Sequence, residues 1–182
     1  MHPSVSVSRR SNRAAATACA LLGALTATVS VPAPVGAAGA TATPRCATSA
    51  LVLWLDTTGN GAAGSSYYSL GFTNLSGHAC TLLGYPGVSA VNLGGHALGS
   101  AAARENFQTP RVVTLAGGAT AHAVLRIVEA GNFPASRCHE VTAAGLRVYP
   151  PNELASKVIP FPFPACSRTG PVYLSVRPVQ RS

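Results

Sequence analysis

Residues 78–80 read His-Ala-Cys, and a thiol close to an imidazole is one way to build a nucleophile. A reactive thiol at Cys80 would need a lowered pKa and a base within reach, and His78 stands two residues away. Against that chemistry stand three further cysteines, Cys46, Cys138 and Cys166, each able to take Cys80 as a partner. In a chain that carries an export leader, four cysteines read as two disulfides, because outside the cytoplasm nothing keeps thiols reduced. Four cysteines allow three pairings. Cys46–Cys80 with Cys138–Cys166 is preferred, each bridge closing one half of the domain, while the nested and crossed arrangements stay open.

The other reactive side chains do not assemble into a motif. His78, His96, His122 and His139 are isolated, with no H-x-H, H-E-x-x-H or Cys/His spacing of the kind that holds a metal. Ser89 lies in Gly-Val-Ser-Ala-Val (87–91), which lacks the second glycine of a nucleophile elbow. The lone lysine, Lys157, has Leu154 three residues before it, so there is no Ser-x-x-Lys pair. The acids Asp56, Glu105, Glu129, Glu140 and Glu153 are far apart in sequence, and nothing in their spacing marks a glycosidase pair. The expectation is a protein that is not an enzyme, with no catalytic residue, cofactor or metal ligand to assign.

Charge narrows the partners. Thirteen basic residues stand against five acidic ones, a formal charge of +8. Three of the basic residues, Arg9, Arg10 and Arg13, precede an uncharged Ala/Leu/Thr/Val segment from Ala14 to Val31 and small residues suited to cleavage after Ala37 or Ala40. That is the pattern of a secretory signal peptide over residues 1–40. The Arg9-Arg10 pair is followed by polar Asn12, which favours general secretion over a twin-arginine route. Cys19 sits inside the apolar segment, a poor place for a lipidated first residue. The remaining domain, 41–182, keeps a moderate positive charge that suits anionic neighbours. Its arginines are scattered singly, with no basic run interleaved with aromatics, so nucleic acid is not expected. The expectation is a secreted or extracellular monomer, free or associated with the cell envelope, and without stable membrane insertion once cleaved.

The candidate ligand-face residues are aromatic: Trp54, Tyr85 and Tyr149. Tyr85 precedes Pro86-Gly87, a turn dipeptide in which proline presets φ and glycine accepts a positive φ, so the ring would stand at a bend. Asn74-Leu75-Ser76 is formally an acceptor sequence for N-glycosylation.

The elements that must position these residues are strands. Gly, Pro and Asn punctuate the chain every eight to twelve residues, with short β-branched and aromatic runs between and no amphipathic helix. Leu51–Leu55, a continuous apolar run, reads as a strand buried on both faces or a strand entering the core. Tyr68, Leu70 and Phe72 alternate with Tyr67, Ser69 and Thr73. Between them, 57–66 is rich in Gly, Ser and Ala and reads as a mobile loop. Gly94-Gly95 and Gly117-Gly118 each signal a two-residue hairpin, the second pairing Val112–Leu115 with Ala121–Val128, where Ala123, Leu125 and Ile127 face inward. Leu146 and Val148, then Val172, Leu174 and Val176, point inward in two later strands, with Arg147, Tyr173 and Arg177 outward. The alternating prolines of Val158–Pro164 confine that run to an edge. A turn or two of helix is allowed near Pro150–Ser156 or Ala101–Asn106. The fold class is all-β, an antiparallel, immunoglobulin-like β-sandwich of seven to nine strands, stabilised by disulfides.

Taken in order, Cys46, YYSLGFTNLSGHACTLLGYPGVSAV, VTLAGGATAHAVLRIV, Cys138, LRVYPP and Cys166 before YLSVRPV resemble the exported domain of unknown function 4232 found in high-GC Gram-positive (actinobacterial) proteins. The resemblance implies a secreted or envelope-associated four-cysteine β-domain with no assigned activity, hence no catalytic residues to carry over. The family's usual L-x-P-G-G turn reads Leu115-Ala116-Gly117-Gly118 here. The functional expectation is an extracellular or cell-envelope interaction module whose partner is an envelope glycan or an extracellular protein. The alternative is an inhibitor of an extracellular protease, presenting Asn132–Cys138 with Arg137 as its specificity residue.

Overall fold

The computed structural model describes residues 42–181, so the expected leader, its arginine pair and Cys19 lie outside the described residues. Twelve strands follow in chain order: β1 Leu51–Ala62, β2 Ser65–Asn74, β3 Cys80–Leu82, β4 Gly87–Val91, β5 Ala97–Leu98, β6 Ala103–Arg104, β7 Val113–Leu115, β8 Thr120–Val128, β9 Glu140–Tyr149, β10 Lys157–Cys166, β11 Leu174–Val176 and β12 Gln180–Arg181. Six of them have three residues or fewer, too short to show a period of two, which is why the sequence yields a lower count. Helix is confined to single turns at Thr48–Ala50, Ala130–Asn132 and Ala135–Cys138 (α1). None coincides with the two places where a helix was allowed: Ala103–Arg104 is strand, and 150–152 is a tight turn with Asn152 at φ 62°.

The first sheet runs β1-β2-β8-β11-β6, with β12 also on β8. The second runs β10-β9-β4-β5, and β3 pairs with β7 in a small third sheet. All strand pairs are antiparallel except β11 with β6. Inward side chains of all three sheets make one core: Leu70, Phe72, Leu125 and Ile127 from the first, Val88, Leu146, Val148 and Phe163 from the second, Leu82 and Leu115 from the third. Each large apolar side chain buried there contributes about 1.5–3 kcal/mol of transfer free energy. The arrangement is a β-sandwich, and β10 with its outward prolines lies at an edge, as the missing ladder donors require. Gly145 lets β9 approach β10 closely, since a Cβ there would sit 2.3 Å from the Ile159 carbonyl oxygen.

Four readings of the sequence change. Residues 57–66 are not a loop: β1 and β2 continue through them as a hairpin, bulged between Asp56 and Asn60 and turned at Ala63-Gly64, φ 46° and 73°. Two successive positive φ values are what a tight hairpin needs, and alanine in the first position hid the signal. Gly117-Gly118 joins β7 to β8 without pairing them. β7 lies on β3, and the turn, held by the Gly118 N–H donating to the Asn74 carbonyl at 2.7 Å, carries the chain into the first sheet. Gly94-Gly95 does turn a hairpin, β4 on β5, although its loop spans Asn92 to His96. Tyr173 points inward and Val172 outward, the reverse of the expectation, because β11 begins only at Leu174 and the alternation does not reach back. The Tyr173 hydroxyl donates to the Leu98 carbonyl at 2.8 Å, and burial pushes its pKa far up.

Both preferred disulfides are present. Cys46–Cys80 ties the entering chain to β3, and Cys138–Cys166 ties α1 to the end of β10. Asn74 is fully buried. Its amide donates to the carbonyls of His78, Leu115 and Ala116, and its own oxygen accepts from the Ser76 N–H and hydroxyl. The glycosylation-like triplet is therefore the frame of a turn, with its nitrogen turned inward.

Candidate functional site

Two of the three expected aromatics meet. Gly84, at φ 105°, bends the chain after β3, and its carbonyl accepts from the Val179 N–H at 2.9 Å. The positive φ thus falls at Gly84, before Tyr85. Gly87, where it was expected, instead opens β4, in register with Tyr149 at the end of β9. Tyr85 is held at both ends. Its hydroxyl lies 3.2 Å from the Glu105 carbonyl and 3.3 Å from that of Gln108, and the Arg104 guanidinium stacks 5.6 Å above its ring.

The strap that receives Tyr85 is fixed in turn by the Glu105 side chain. One carboxylate oxygen accepts from the Ser175 hydroxyl at 2.7 Å, the other from Arg177 Nε at 3.0 Å. Partial burial raises the carboxyl's pKa, but the Ser175 bond and the Arg177 bond and charge outweigh it and leave Glu105 below its ordinary value. Arg177 also covers the Phe107 ring at 4.8 Å.

Tyr85 and Tyr149 line an open depression of about 720 Å³ with Arg45, Arg104, Leu83 and Leu154. Arg45 is brought there by the first disulfide, since Cys46 lies beside it and Arg45 bridges Thr81 on β3. On the opposite rim, Asn152 donates to the Leu83 carbonyl at 2.8 Å. Glu153 also lines the depression, and its Oε2 accepts from the Thr48 N–H and hydroxyl, both at 3.1 Å. Among the described residues neither Arg45 nor Arg104 has a carboxylate partner. Leu154, 97% exposed, stands as an apolar post at the rim.

Trp54 lies elsewhere, on the outer face of the first sheet. It is 36% exposed and meets His122 edge-on, ring centroids 5.5 Å apart and planes at 87°. Its indole N–H donates to Thr73 Oγ1 at 3.0 Å, and His122 Nδ1 is 2.9 Å from Ser69 Oγ. Asp56, on the same face, is kept below its ordinary pKa chiefly by the Thr58 side-chain and backbone hydrogen bonds. No hydrogen bond joins Asp56 to His122: Asp56 Oδ1 accepts from Thr58, and His122 Nδ1 is the nitrogen that meets Ser69.

The remaining expected positions are dispersed. His78 and His96 are exposed in turns, and His139 follows α1 with φ 47°, bonded to Ser167. Ser89 faces Arg147 in the β4–β9 register. Arg137 is exposed on α1, where the backbone is helical. No group of three His, Cys, Asp or Glu side chains that could hold a metal occurs among the described residues. Sequence reading missed Arg45 and Arg104 as neighbours of Tyr85, and missed that Glu129 and Glu140 share a depression of about 310 Å³ with Tyr68 and Phe163. The register of β2 on β8 sets Gly71 opposite His122, and of β1 on β2 sets Trp54 opposite Gly71. Alternation alone could have placed those three on one outer row.

No curated protein and no solved structure matches the chain. Residues 46–180 match the model of the domain of unknown function DUF4232, a span that includes all four disulfide cysteines, β1 to β11 and both tyrosines of the depression, and the chain belongs to that family.

Proposed function

We propose that the chain is a secreted, non-catalytic interaction module of the cell envelope, and that the Tyr85–Tyr149 depression takes an anionic envelope ligand. One observation carries the reading. Two guanidinium groups without carboxylate partners, Arg45 and Arg104, border two half-buried tyrosines, against a single carboxylate on the lining, Glu153, whose Oε2 is engaged by Thr48. Arginine forks suit planar anionic groups, and tyrosine offers contact area at small entropic cost. The two disulfides support an oxidising compartment. Support for a non-catalytic role comes from the occupation of three of the five carboxylates. Glu105 and Glu153 fasten segments of chain, and Asp56 caps a turn. The protease-inhibitor alternative draws less support, because Arg137 sits on a helical turn and not on an extended strand that a protease could grip.

The test is sedimentation of the oxidised domain with envelope from its producer, at low and high salt. Binding that survives high salt and falls at least about tenfold in an Arg45→Ala/Arg104→Ala variant is the expected result, two charge-assisted hydrogen bonds being worth that much or more. Equal binding by parent and variant would remove the depression as the site.

A further inference from the structure

The geometry points to a second, separate site: the Trp54–Gly71–His122 row on the outer face of the first sheet is a carbohydrate platform that takes a pyranose ring against the indole. A Cβ built on Gly71 would stand 2.2 Å from Trp54 Cε2 and 2.6 Å from both Cζ2 and Nε1. Those distances describe a point straight above Cε2, so the indole lies with its face, not its edge, against the glycine. The absent side chain makes room for the ring to lie flat on the sheet. The Nε1–H bond to Thr73 fixes its rotation, and the opposite face is left to solvent.

His122 stands beside this floor as a wall, its plane nearly perpendicular to the indole. Its Nδ1 is committed to Ser69, while Nε2 has no partner among the described residues. Next in register comes Gln180, whose amide nitrogen bonds Gln108 and whose carbonyl oxygen is unengaged. The depression of about 120 Å³ beyond His122 is lined by both glutamines. From β1 across β2 and β8 to β12 the row spans about 14 Å at roughly 4.8 Å per strand, room for a short oligosaccharide.

Pyranose chemistry fits this pattern. One face of the ring carries C–H bonds with partial positive charge, which match the electron-rich indole face, and its equatorial hydroxyls can donate and accept at an imidazole nitrogen and an amide oxygen. A cationic ligand would want several aromatic faces or an open carboxylate. Here a single indole face is open, and the nearby Asp56 uses Oδ1 to accept from the Thr58 N–H and hydroxyl at 2.9 and 2.7 Å and keeps only Oδ2, so a cationic control belongs in the test. None of these residues lines the Tyr85–Tyr149 depression, so the two sites stand or fall separately.

Trp54 is the only tryptophan of the chain, so intrinsic fluorescence reads this site directly. The experiment is a titration with chitotetraose and with cellotetraose, using choline chloride as the cationic control. A saturable change of emission with either sugar is expected, lost in Gly71→Ala, whose new Cβ lifts the indole. In His122→Ala it should weaken roughly two- to tenfold, the range of one hydrogen bond. Arg45→Ala/Arg104→Ala should leave it unchanged. No response to either sugar up to its solubility limit overturns the proposal, as does a saturable response to choline alone, or full sugar affinity in folded Gly71→Ala. If Gly71→Ala does not fold by circular dichroism, undiminished sugar affinity in His122→Ala overturns it.

Discussion

Replacing Asn74 tests how the turn between the first and third sheets is built. The side chain is 0% exposed, and its two amide hydrogens serve three carbonyls, at 2.7 Å (His78), 3.1 Å (Leu115) and 3.2 Å (Ala116). Its oxygen receives the Ser76 N–H at 3.0 Å and the Ser76 hydroxyl at 2.7 Å. Counting the two hydrogens and the one carbonyl as three net hydrogen bonds of about 1 kcal/mol each, Asn74→Ala should cost about 3 kcal/mol. Ser76→Ala, which removes only the hydroxyl, should cost about 1 kcal/mol. Asn74→Asp keeps the shape but sets a carboxylate oxygen against the same carbonyls, so at neutral pH it should be worse than alanine. A carboxyl in that place has its folded pKa raised. Its penalty is therefore small below the ordinary aspartate value of about 3.9 and grows as pH rises through the folded value. The assay is urea unfolding followed by Trp54 fluorescence and circular dichroism, at neutral and acid pH. A loss under about 1 kcal/mol for Asn74→Ala, or a penalty for Asn74→Asp that does not change with pH, would refute the amide as the organiser of this turn.

Removing the Cys46–Cys80 bridge, which closes a separation of 34 residues, should cost about 3.8 kcal/mol on the chain-entropy model. The Cys138–Cys166 bridge, at 28 residues, should cost about 3.6 kcal/mol. Urea midpoints of the paired alanine variants check both, and only the first loss should also weaken envelope binding, because it frees Arg45. The Glu105 clamp predicts acid sensitivity with a definite sign. Its folded pKa lies below the ordinary 4.5, so its stabilisation is complete above that value and is lost as pH falls through the folded one. Glu105→Gln should be less stable than the parent at neutral pH, with the gap closing in acid. A gap in unfolding midpoint that stays constant down to strongly acid pH would show that the carboxylate's charge plays no part. The parent is the needed reference, because Asp56 titrates in the same direction.

Legibility in the sequence followed the length of the element. Long strands declared themselves: Leu70 and Phe72 in β2, Ala123, Leu125 and Ile127 in β8, and Leu146 and Val148 in β9 all face the core as their alternation requires. The prolines of β10 marked an edge for a reason that acts at the level of single backbone donors. Apart from the Ala63-Gly64 turn, hidden by its alanine, what failed depended on a partner distant in sequence. Val113–Leu115 carries no mark that it lies on Cys80–Leu82 and not on β8, its neighbour in the chain. Tyr173, just before β11 and outside its alternation, turns inward where the Leu98 carbonyl, 75 residues away, accepts its hydroxyl. The site repeats the division. Tyr85 and Tyr149 were readable as candidate aromatics, Tyr85 at a chain bend, but what gives their depression its character is Arg45 and Arg104, one delivered by a disulfide and the other by a two-residue strand beside β11. Trp54 was likewise readable as an aromatic, yet its meaning depends on Gly71. A glycine in a strand looks like a weakness when read alone. Set in register between Trp54 and His122, it is the space that lets an indole lie flat, so the same residue that lowers local strand propensity creates a broad aromatic surface on that face of the sheet.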